Sequence, residues 1–493
     1  MSNTGQERVK FVDLLRESDF RGFWLGQSIS SLGNSLYNVA IALFILATRH
    51  SVALLGLALG AKALGGGGAS LIGGFLADRW PRVRVLLLAD VVRGAAVTAL
   101  AFMSKGTPGG VILAATFILG AGEAVFLPAY TAVIPALVGR DRLQAANAAN
   151  SLSVNVGQVL GPITAAALIT VVAARGVFLI DAGTFAVSIV TLLRIRHAVA
   201  PPVRPPARAS RHAVQRDPSG GVREIMRRPW LAASILSVSL FTCVGLAPLL
   251  VMLPVVAKST YAHGTYIYGV WLTLYGAGSI LGSWISNVKP LRHPGLLAQL
   301  GLLPVSAVLV LLATSLPALA IAVGMSVAGA GYALFGVLWT TALHRDVPSH
   351  LLGRVAGIDA AFALLLMPLG YAGTGFLADR VGVAAVLLPA AGVSALLTTL
   401  PLFVRGGTQY RTLPAGIATP KPLLTAWRSE TIMELEVGRP LSETSPPGNV
   451  QGLPASSGQS GSAQQREARA TMTKMRTSTS ENTVGRLTIN GVC

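Results

Sequence analysis

Long apolar segments, separated by short polar loops, repeat along most of this 493-residue chain. Runs at 85–103, 111–137, 176–193, 230–256, 296–313 and 384–404 each approach or exceed the roughly 18 residues that call for a membrane-spanning helix. A single soluble core could not bury so many runs. Together with weaker runs they predict twelve spans, near 22–47, 52–77, 84–104, 110–138, 145–172, 176–194, 230–257, 266–288, 295–314, 317–343, 355–377 and 383–404.

Shifts in composition divide the chain into five parts. These are a cytoplasmic N-terminus at 1–21, a six-helix bundle at 22–194, an Arg- and Pro-rich cytoplasmic linker at 195–229, a second six-helix bundle at 230–404 and a disordered cytoplasmic tail at 405–493. Six spans on each side of a linker are typical of two halves that rock about a central site. The predicted fold is therefore an all-α membrane protein with twelve transmembrane helices in two pseudo-symmetric six-helix bundles.

The distribution of charge predicts the orientation of the chain. The formal net charge is +19, but only 12% of the residues are charged, about half the share of a soluble chain. Basic residues concentrate in alternate loops and in the linker. None form a stripe with interleaved aromatics, which argues against a nucleic-acid partner. The positive-inside rule then predicts that both termini are cytoplasmic. We also expect a monomeric, multi-pass protein of the inner or plasma membrane, with the lipid bilayer as a partner.

The sequence lacks the motifs of a nucleotide, metal or covalent-nucleophile site. It has no G-x-x-x-x-G-K-[ST] loop and no G-x-S-x-G elbow. Its two cysteines, Cys243 and Cys493, cannot form a CxxC metal site. We expect no cofactor, no metal and no enzymatic activity. The energy for moving a small-molecule substrate across the membrane is then expected from an ion gradient, here of protons.

The segment 73–84, GGFLADRWPRVR, joins spans 2 and 3 on the predicted cytoplasmic side, and its small residues predict a tight turn. It resembles motif A of the major facilitator superfamily, G-x-L-A-D-R-x-G-R/K-R/K, and departs from it at Pro81 and Val83. The resemblance implies a cytoplasmic latch that forms when the transporter opens outward, made of Gly74, Asp78, Arg79 and Arg82. Without the resemblance, the segment is a basic loop with one Asp.

Two further features are related to motif A. Asp90 and Arg93 lie three residues apart on one face of span 3, and we assign them to the same latch. A similar stretch at 375–382, GFLADRVG, follows span 11. It falls on the predicted outer side and is not assigned as a second latch.

A Gly-Pro pair interrupts span 5. The segment 157–162, GQVLGP, resembles motif C of antiporters in the same superfamily, through Gly157, Gly161 and Pro162, but it lacks the trailing glycine pair of that motif. The resemblance implies export rather than uptake. The alternative is a packing kink, because proline breaks the hydrogen-bond ladder of a helix.

Shorter segments extend the resemblance over about residues 15–405. They are 31–34, 90–93, 128–130, 146–148, 228–231, 268–270, 339–341, 347–348 and 353–355, and together they resemble the macrolide-efflux and enterobactin-exporter branch of drug:proton antiporters. Arg345 and Arg354 are candidate residues of the cytoplasmic loop between spans 10 and 11. Two charges of the wider family are missing, since Asn34 replaces an Asp and Thr116 replaces an Arg. Proton coupling is therefore less firmly predicted than the fold.

Charged side chains inside the spans are the candidates for coupling, because each costs at least ~2.5 kcal/mol at the bilayer centre. Glu123, in span 4, is the first candidate for a proton carrier or a cation-recognising group. It could instead be a structural partner of a cation, and Lys62 in span 2 lies at a similar depth. Lys62 could also extend to the interface. Asp181 in span 6 is expected to pair with Arg175.

Polar and aromatic residues complete the predicted substrate cavity. A stripe at helical spacing marks one face of span 1, namely Gln27, Ser31, Asn34 and Asn38. In lipid this face must meet protein or water. Stacking surface for a bulky ligand is expected from Tyr37, Phe241, Trp271, Tyr275 and Trp339, each of which is otherwise an ordinary packing residue.

The sequence as a whole predicts a secondary transporter. The favoured interpretation is proton-coupled export of bulky, partly apolar compounds such as antibiotics, by rocker-switch alternating access. One alternative is export of a siderophore or another endogenous metabolite. An uptake permease is disfavoured by the motif C resemblance, and a membrane enzyme or receptor by the lack of a clustered catalytic constellation.

Overall fold

The computed structural model describes residues 11–104, 106–139, 142–195, 220–288 and 292–410, and this part of the chain is helical throughout, without strands. The predicted linker and tail fall largely at 196–219 and 411–493, outside the described residues. The helices are α1 Phe11–Arg16, α2 Ser18–Arg49, α3 Val52–Arg79, α4 Arg82–Phe102, α5 Gly109–Val138, α6 Leu143–Ile195, α7 Gly220–Met226, α8 Pro229–Thr260, α9 Gly264–Val288, α10 Pro294–Ala313, α11 Ala318–Asp346, α12 Ser349–Val381 and α13 Val383–Thr399, followed by a short 3-10 turn, Leu400–Phe403.

Ten helices in the described part are long and apolar enough to cross a membrane. One of them, α6, contains a break at Ala173, where φ is +55°, and its two arms correspond to predicted spans 5 and 6. Helix α9 has 25 residues, about 37 Å, but is less apolar. With α6 counted twice and α9 included, the structure agrees with twelve spans.

Two bundles make up the membrane part. Helices α2 to α6 pack against one another, chiefly through the pairs α2–α6, α3–α5 and α4–α6. Helices α8 to α13 form the second bundle, chiefly through α9–α11, α10–α11 and α10–α13. A π-helical turn, Thr242–Leu246, interrupts α8.

The bundles meet along α3–α12 and α6–α9. Glycines bring the backbones together there: a Cβ on Gly56 would lie 2.3 Å from the carbonyl oxygen of Tyr371, and one on Gly276 would lie 2.7 Å from that of Gln158. Within the described residues, every glycine that brings the two bundles this close lies between the middle of the membrane part and the end at which α3 begins. We call that end the α2–α3 end and the opposite one the α3–α4 end. Towards the latter, a Cβ on Gly74 would meet no atom within 4 Å.

Two predicted boundaries need correction. The connection predicted at 73–84 is shorter than expected, because α3 continues to Arg79 and the chain turns at Trp80 and Pro81. The predicted disordered tail begins too early. Residues 405–410 pack onto the second bundle, and Tyr410 is fully buried.

Candidate functional site

A cavity of about 910 Å³ lies between the two bundles. Its lining comes from both, and from eight helices that include α2, α3, α5 and α6 on one side and α9, α11 and α12 on the other. It extends to Leu127 and Ser283, in the half of the molecule where no described glycine brings the two bundles into close contact. The cavity is thus sealed towards the α2–α3 end and widens towards the α3–α4 end.

The first bundle supplies the charge. Lys62 of α3 lies 3.4 Å from Glu123 of α5, and its ammonium group also donates to the Asn38 side chain at 2.8 Å. The Glu123 side chain is 56% exposed and lines the cavity. The structure therefore places two sequence-predicted residues together as an ion pair that a ligand can reach.

The second bundle supplies aromatic hydroxyls and apolar surface but no charged lining residue. Four tyrosines project into the cavity, namely Tyr268, Tyr275, Tyr332 and Tyr371. None of their hydroxyls forms a hydrogen bond with another described residue. Hydroxyls left open to a cavity need water or a ligand as a partner. Of this set the sequence indicated only Tyr275, because single tyrosines spread over three helices leave no pattern in the chain.

A smaller pocket of about 330 Å³ continues the cavity into the first bundle. Both pockets are lined by Ser35, Asn38, Glu123, Leu127 and Gln158. The whole predicted polar stripe of α2 lines the smaller pocket: Gln27, Ser31, Asn34 and Asn38. The helical spacing of these residues thus matches one cavity-facing surface.

The structure shows the surroundings of Asp90 and Arg93, and their assignment to the latch stays a prediction. Both side chains are buried inside the first bundle, where they form an ion pair with each other. Ser188 of α6 donates to Asp90 at 2.6 Å, and Gln27 donates to Ser188 at 2.7 Å. The Arg93 guanidinium lies 4.4 Å from the ring of Phe126. These contacts describe an internal brace that borders the smaller pocket, away from the α3–α4 loop.

The expected pair between Asp181 and Arg175 is wrong. Arg175 donates to the Met103 carbonyl at 2.8 Å. Asp181 is fully buried against α2, and one of its oxygens has no hydrogen-bond partner among the described residues, while the other accepts from Thr184 at 3.3 Å. Both residues follow the break at Ala173 on the same arm of α6, and a spacing of six residues places them on different faces of the helix.

Among the predicted stacking aromatics, only Tyr275 lines the cavity. Tyr37 is buried behind the Lys62 ammonium, which lies 5.2 Å from its ring. The indole N–H of Trp271 donates to Ala318, and that of Trp339 to the Asp359 carboxylate. Phe241 is fully buried. These four are packing residues, because hydrophobic character alone does not separate a cavity wall from a core.

Comparison with known proteins identifies the family. The model of the Major Facilitator Superfamily matches residues 23–370. This chain belongs to that superfamily. The enterobactin exporter EntS of Shigella boydii serotype 4 is 28% identical over 386 residues, which cover 76% of this chain and 88% of the exporter. EntS of Escherichia coli O1:K1 is 28% identical over 388 residues, with the same shares covered.

Solved structures agree on the fold. A D-xylose–proton symporter superposes with a TM-score of 0.62 at 16% identity, covering 80% of this chain and all of the symporter. A POT family transporter in complex with 5-aminolevulinic acid gives 0.62 at 11% identity, covering 80% of this chain and 96% of the transporter. This protein is thus a superfamily transporter with the fold of solved members.

The motif A residues of this superfamily member lie at the end of α3 and the start of α4. Arg79 covers the ring of Phe75 at 4.0 Å, and Arg82 donates to the Ala132 carbonyl of α5 at 2.9 Å. Gly74 faces open space, and the side chain of Asp78 lies outside the described part of the structure. The latch role therefore stays a prediction.

The motif C residues form the contact between α2 and α6. A Cβ on Gly161 would lie 2.3 Å from the Cβ of Ser35, and Gly157 faces Ser31 and Ser35. Pro162 lines the cavity, and its carbonyl faces Gly269 of α9. These residues permit close packing at the cavity wall.

The two predicted loop arginines hold chain segments in place. Arg345 donates to the Tyr410 carbonyl at 2.6 Å and to Asp346 at 3.0 Å. Arg354 of α12 packs against Gly220 and Gly221 of α7. Both lie outside the cavity lining.

Proposed function

We propose that this protein exports an endogenous small molecule of the siderophore type, in exchange for protons. The observation that carries the proposal is the central cavity of about 910 Å³, with its charged wall on one bundle and its tyrosine wall on the other. Such a volume suits a drug-sized or larger ligand, since ligand pockets span about 300–1,000 Å³. The two unlike walls favour a ligand with aromatic surface and several polar oxygens.

The tyrosine wall fits an oxygen-rich aromatic ligand. Rings of Tyr275 and Tyr371 offer edge or face contacts, which are worth about 0.5–1.5 kcal/mol per aromatic pair beyond area burial. Their open hydroxyls can donate to ligand oxygens or accept from ligand hydroxyls. A purely apolar drug would leave these hydroxyls and the Asn38 amide without partners.

The relatives support the same cargo class. The two EntS proteins are named as exporters of enterobactin, a siderophore, and they match this chain over nearly nine-tenths of their length. At 28% identity the cargo itself does not transfer, so the proposal is limited to the class. A siderophore-type compound thus replaces an antibiotic as the favoured cargo.

Glu123 is the proposed coupling residue. A ligand hydroxyl donates more strongly to the Glu123 carboxylate when that carboxylate is ionised, and a proton competes for the same oxygens. Mutual exclusion of proton and ligand is what antiport requires, because binding of one then lowers the affinity for the other by the same factor. When neither a proton nor a ligand is bound, the carboxylate pairs with the Lys62 ammonium group, which lies 3.4 Å away.

The orientation follows from the basic residues of the α3–α4 end. Arg79, Arg82 and Arg84 lie at that end, which we assign to the cytoplasm by the positive-inside rule. The cavity then opens to the cytoplasm, where an exporter collects its cargo. In the outward-open state, Gly74, Asp78, Arg79 and Arg82 would form the latch that motif A implies.

Drug efflux is the second candidate. It is favoured by the apolar share of the cavity lining, including Leu250, Leu272, Leu364 and Met367, and by the resemblance to motif C. It shares the coupling residue and differs only in cargo.

One experiment separates the two candidates. Purified protein in weakly buffered detergent, at a pH low enough for Glu123 to be partly protonated, receives enterobactin or a macrolide, and an indicator dye reports protons released on binding. We expect release with enterobactin, no release with the macrolide, and none with Glu123→Gln. Glu17→Gln, which removes an acid outside the cavity, is the control and should behave as wild type. Release by the macrolide alone would favour drug efflux, and unchanged release in Glu123→Gln would exclude Glu123 as the coupling residue.

A further inference from the structure

The first turn of α3 is completed by a residue of the other bundle. An α-helix begins with four N–H groups that have no partner within the helix. In α3, the Leu55 N–H makes the first bond of the helix, to the Ser51 carbonyl at 3.4 Å, and the Leu54 N–H donates to the Ser51 hydroxyl at 3.0 Å. Within the helix, this leaves the N–H groups of Val52 and Ala53.

Both donors bond to one carboxylate of α12. Val52 N–H donates to Asp379 Oδ1 at 3.3 Å, and Ala53 N–H donates to Asp379 Oδ2 at 3.0 Å. The residues are more than 320 positions apart in the chain and belong to different bundles. A carboxylate at a helix N-terminus is also favoured by the helix dipole.

Gly375 makes this contact possible. It lies one turn before Asp379 on α12, and a Cβ there would lie 2.7 Å from the Val52 carbonyl oxygen and 2.9 Å from the Ala53 Cα. The backbones of α3 and α12 therefore meet at this point, which brings the short Asp379 side chain to the start of α3. Both residues belong to the segment 375–382, whose likeness to motif A the sequence could not place in a role.

We propose that Asp379 is a gating residue of the transport cycle, which holds the outer end closed by capping α3 across the bundle interface. Rocking that opens the α2–α3 end must separate α12 from α3 at this contact, and the two N–H groups then pass to water. Asp379 is exposed, so the exchange with water is cheap. The contact biases the equilibrium between the two states without preventing the change.

The cap would act at one end of α3, and the motif A latch at the other. Asp78 lies in the last turn of α3 and, by the resemblance, engages when the transporter opens outward. The same helix would then be held at its start in the inward-open state and at its end in the outward-open state. The inference needs alternating access but no particular cargo.

Spin-label distances across the outer end test the inference without a substrate. Labels on Phe102→Cys, at the end of α4, and Leu319→Cys, at the start of α11, report the separation of the bundles; both native side chains are about three-quarters exposed. The background carries Cys243→Ser and Cys493→Ser. We expect Asp379→Ala to raise the ratio of long to short distances about two- to five-fold, the range typical of a carboxylate at an exposed helix N-terminus.

Two variants test the other side of the same contact. Val52→Pro removes one donor, and proline is tolerated at the first helical position after an extended residue such as Ser51. It should shift the ratio in the same direction, and the double variant Asp379→Ala/Val52→Pro should shift it less than the product of the two. Gly375→Ala should shift it further than either, because the added Cβ prevents the close approach.

Arg380→Ala is the matched control, since it removes a neighbouring charge that has no partner among the described residues. It should leave the distances unchanged. An unchanged distance distribution in Asp379→Ala, an equal shift in Arg380→Ala, or fully multiplicative effects of Asp379→Ala and Val52→Pro would each overturn the gating role. None of these outcomes depends on which compound the protein exports, so they leave the proposed function untouched.

Discussion

Lys62 and Glu123 face each other from α3 and α5 at 3.4 Å, and both line the central cavity. A structural ion pair and a coupling pair are different explanations of this geometry. The first requires only that the charges compensate each other, whereas the second requires a carboxylate that exchanges partners. The exposure of Glu123 to the cavity favours the second.

Neutralising the pair separates these explanations. Lys62→Met or Glu123→Gln alone leaves one charge unpaired and should lower the unfolding free energy by up to about 1 kcal/mol, a small value because cavity water screens both groups. The double variant Lys62→Met/Glu123→Gln should recover that loss but not proton-coupled transport. The measurements are thermal unfolding of the purified protein and pH-driven transport in proteoliposomes. Full transport by the double variant would mean that the pair is only structural.

The Asp90–Arg93 brace should matter more for stability than the cavity pair. Both residues are fully or nearly fully buried, and removing one partner of a buried pair costs about 3–5 kcal/mol. We therefore expect Asp90→Asn to unfold at a much lower temperature, and Ser188→Ala, which loses hydrogen bonds only, to cost about 1–3 kcal/mol. Thr98→Val, on the same helix, is the control. A latch role would predict the reverse, with normal stability and impaired transport.

Motif C has a packing role that can be tested apart from the direction of transport. Gly161→Ala places a Cβ 2.3 Å from the Cβ of Ser35, so we expect a loss of about 1–3 kcal/mol from overpacking. Ser35→Gly removes the opposing atom and should restore part of the stability. Gly183→Ala, at a position on α6 with no atom within 4 Å, should be close to neutral. The measurement is thermal unfolding, and no recovery in the Gly161→Ala/Ser35→Gly variant would contradict the packing account.

Tyr410 should anchor the end of the second bundle. Gln299 donates to its hydroxyl at 2.8 Å, its ring lies 5.5 Å from that of Trp230, and burial raises the pKa of its phenol above the usual value. Tyr410→Phe should cost about 1 kcal/mol through the lost hydrogen bond, and Tyr410→Ala about 3–5 kcal/mol. A chain that ends after Arg405 should resemble Tyr410→Ala in thermal unfolding, and one that ends after residue 411 should not. Equal stability of the two truncations would show that the anchor is unimportant.

The fold could be predicted from the sequence because lipid imposes a simple rule. Each span must satisfy its own backbone hydrogen bonds and face lipid with apolar side chains, so span positions can be read from hydrophobicity. The polar stripe from Gln27 to Asn38 could be recognised for the same reason, since polar residues at helical spacing must turn inward.

The rest of the site depends on contacts between distant segments. Nothing in the sequence shows that Tyr268, Tyr332 and Tyr371 share a wall, since each is a single residue among apolar neighbours. Asp181 and Arg175 lie six residues apart on one arm of α6, on different faces of the helix, and each finds a partner in another part of the fold or in its own turn. The bond from Asp379 to the start of α3 joins segments that are over 320 positions apart, so only the packed structure reveals what the segment 375–382 contacts.

Secretion of a siderophore tests the central claim most directly. The measurement is extracellular enterobactin, quantified by mass spectrometry, in a host that makes it but lacks its own exporter, with this protein expressed to equal membrane levels as wild type, Glu123→Gln or Glu17→Gln. The account predicts that wild type and Glu17→Gln raise the extracellular amount at least about ten-fold over the empty host, a margin well above leakage through the membrane, and that Glu123→Gln does not. No rise with the wild-type protein, together with raised resistance of the same cells to macrolides, would contradict it.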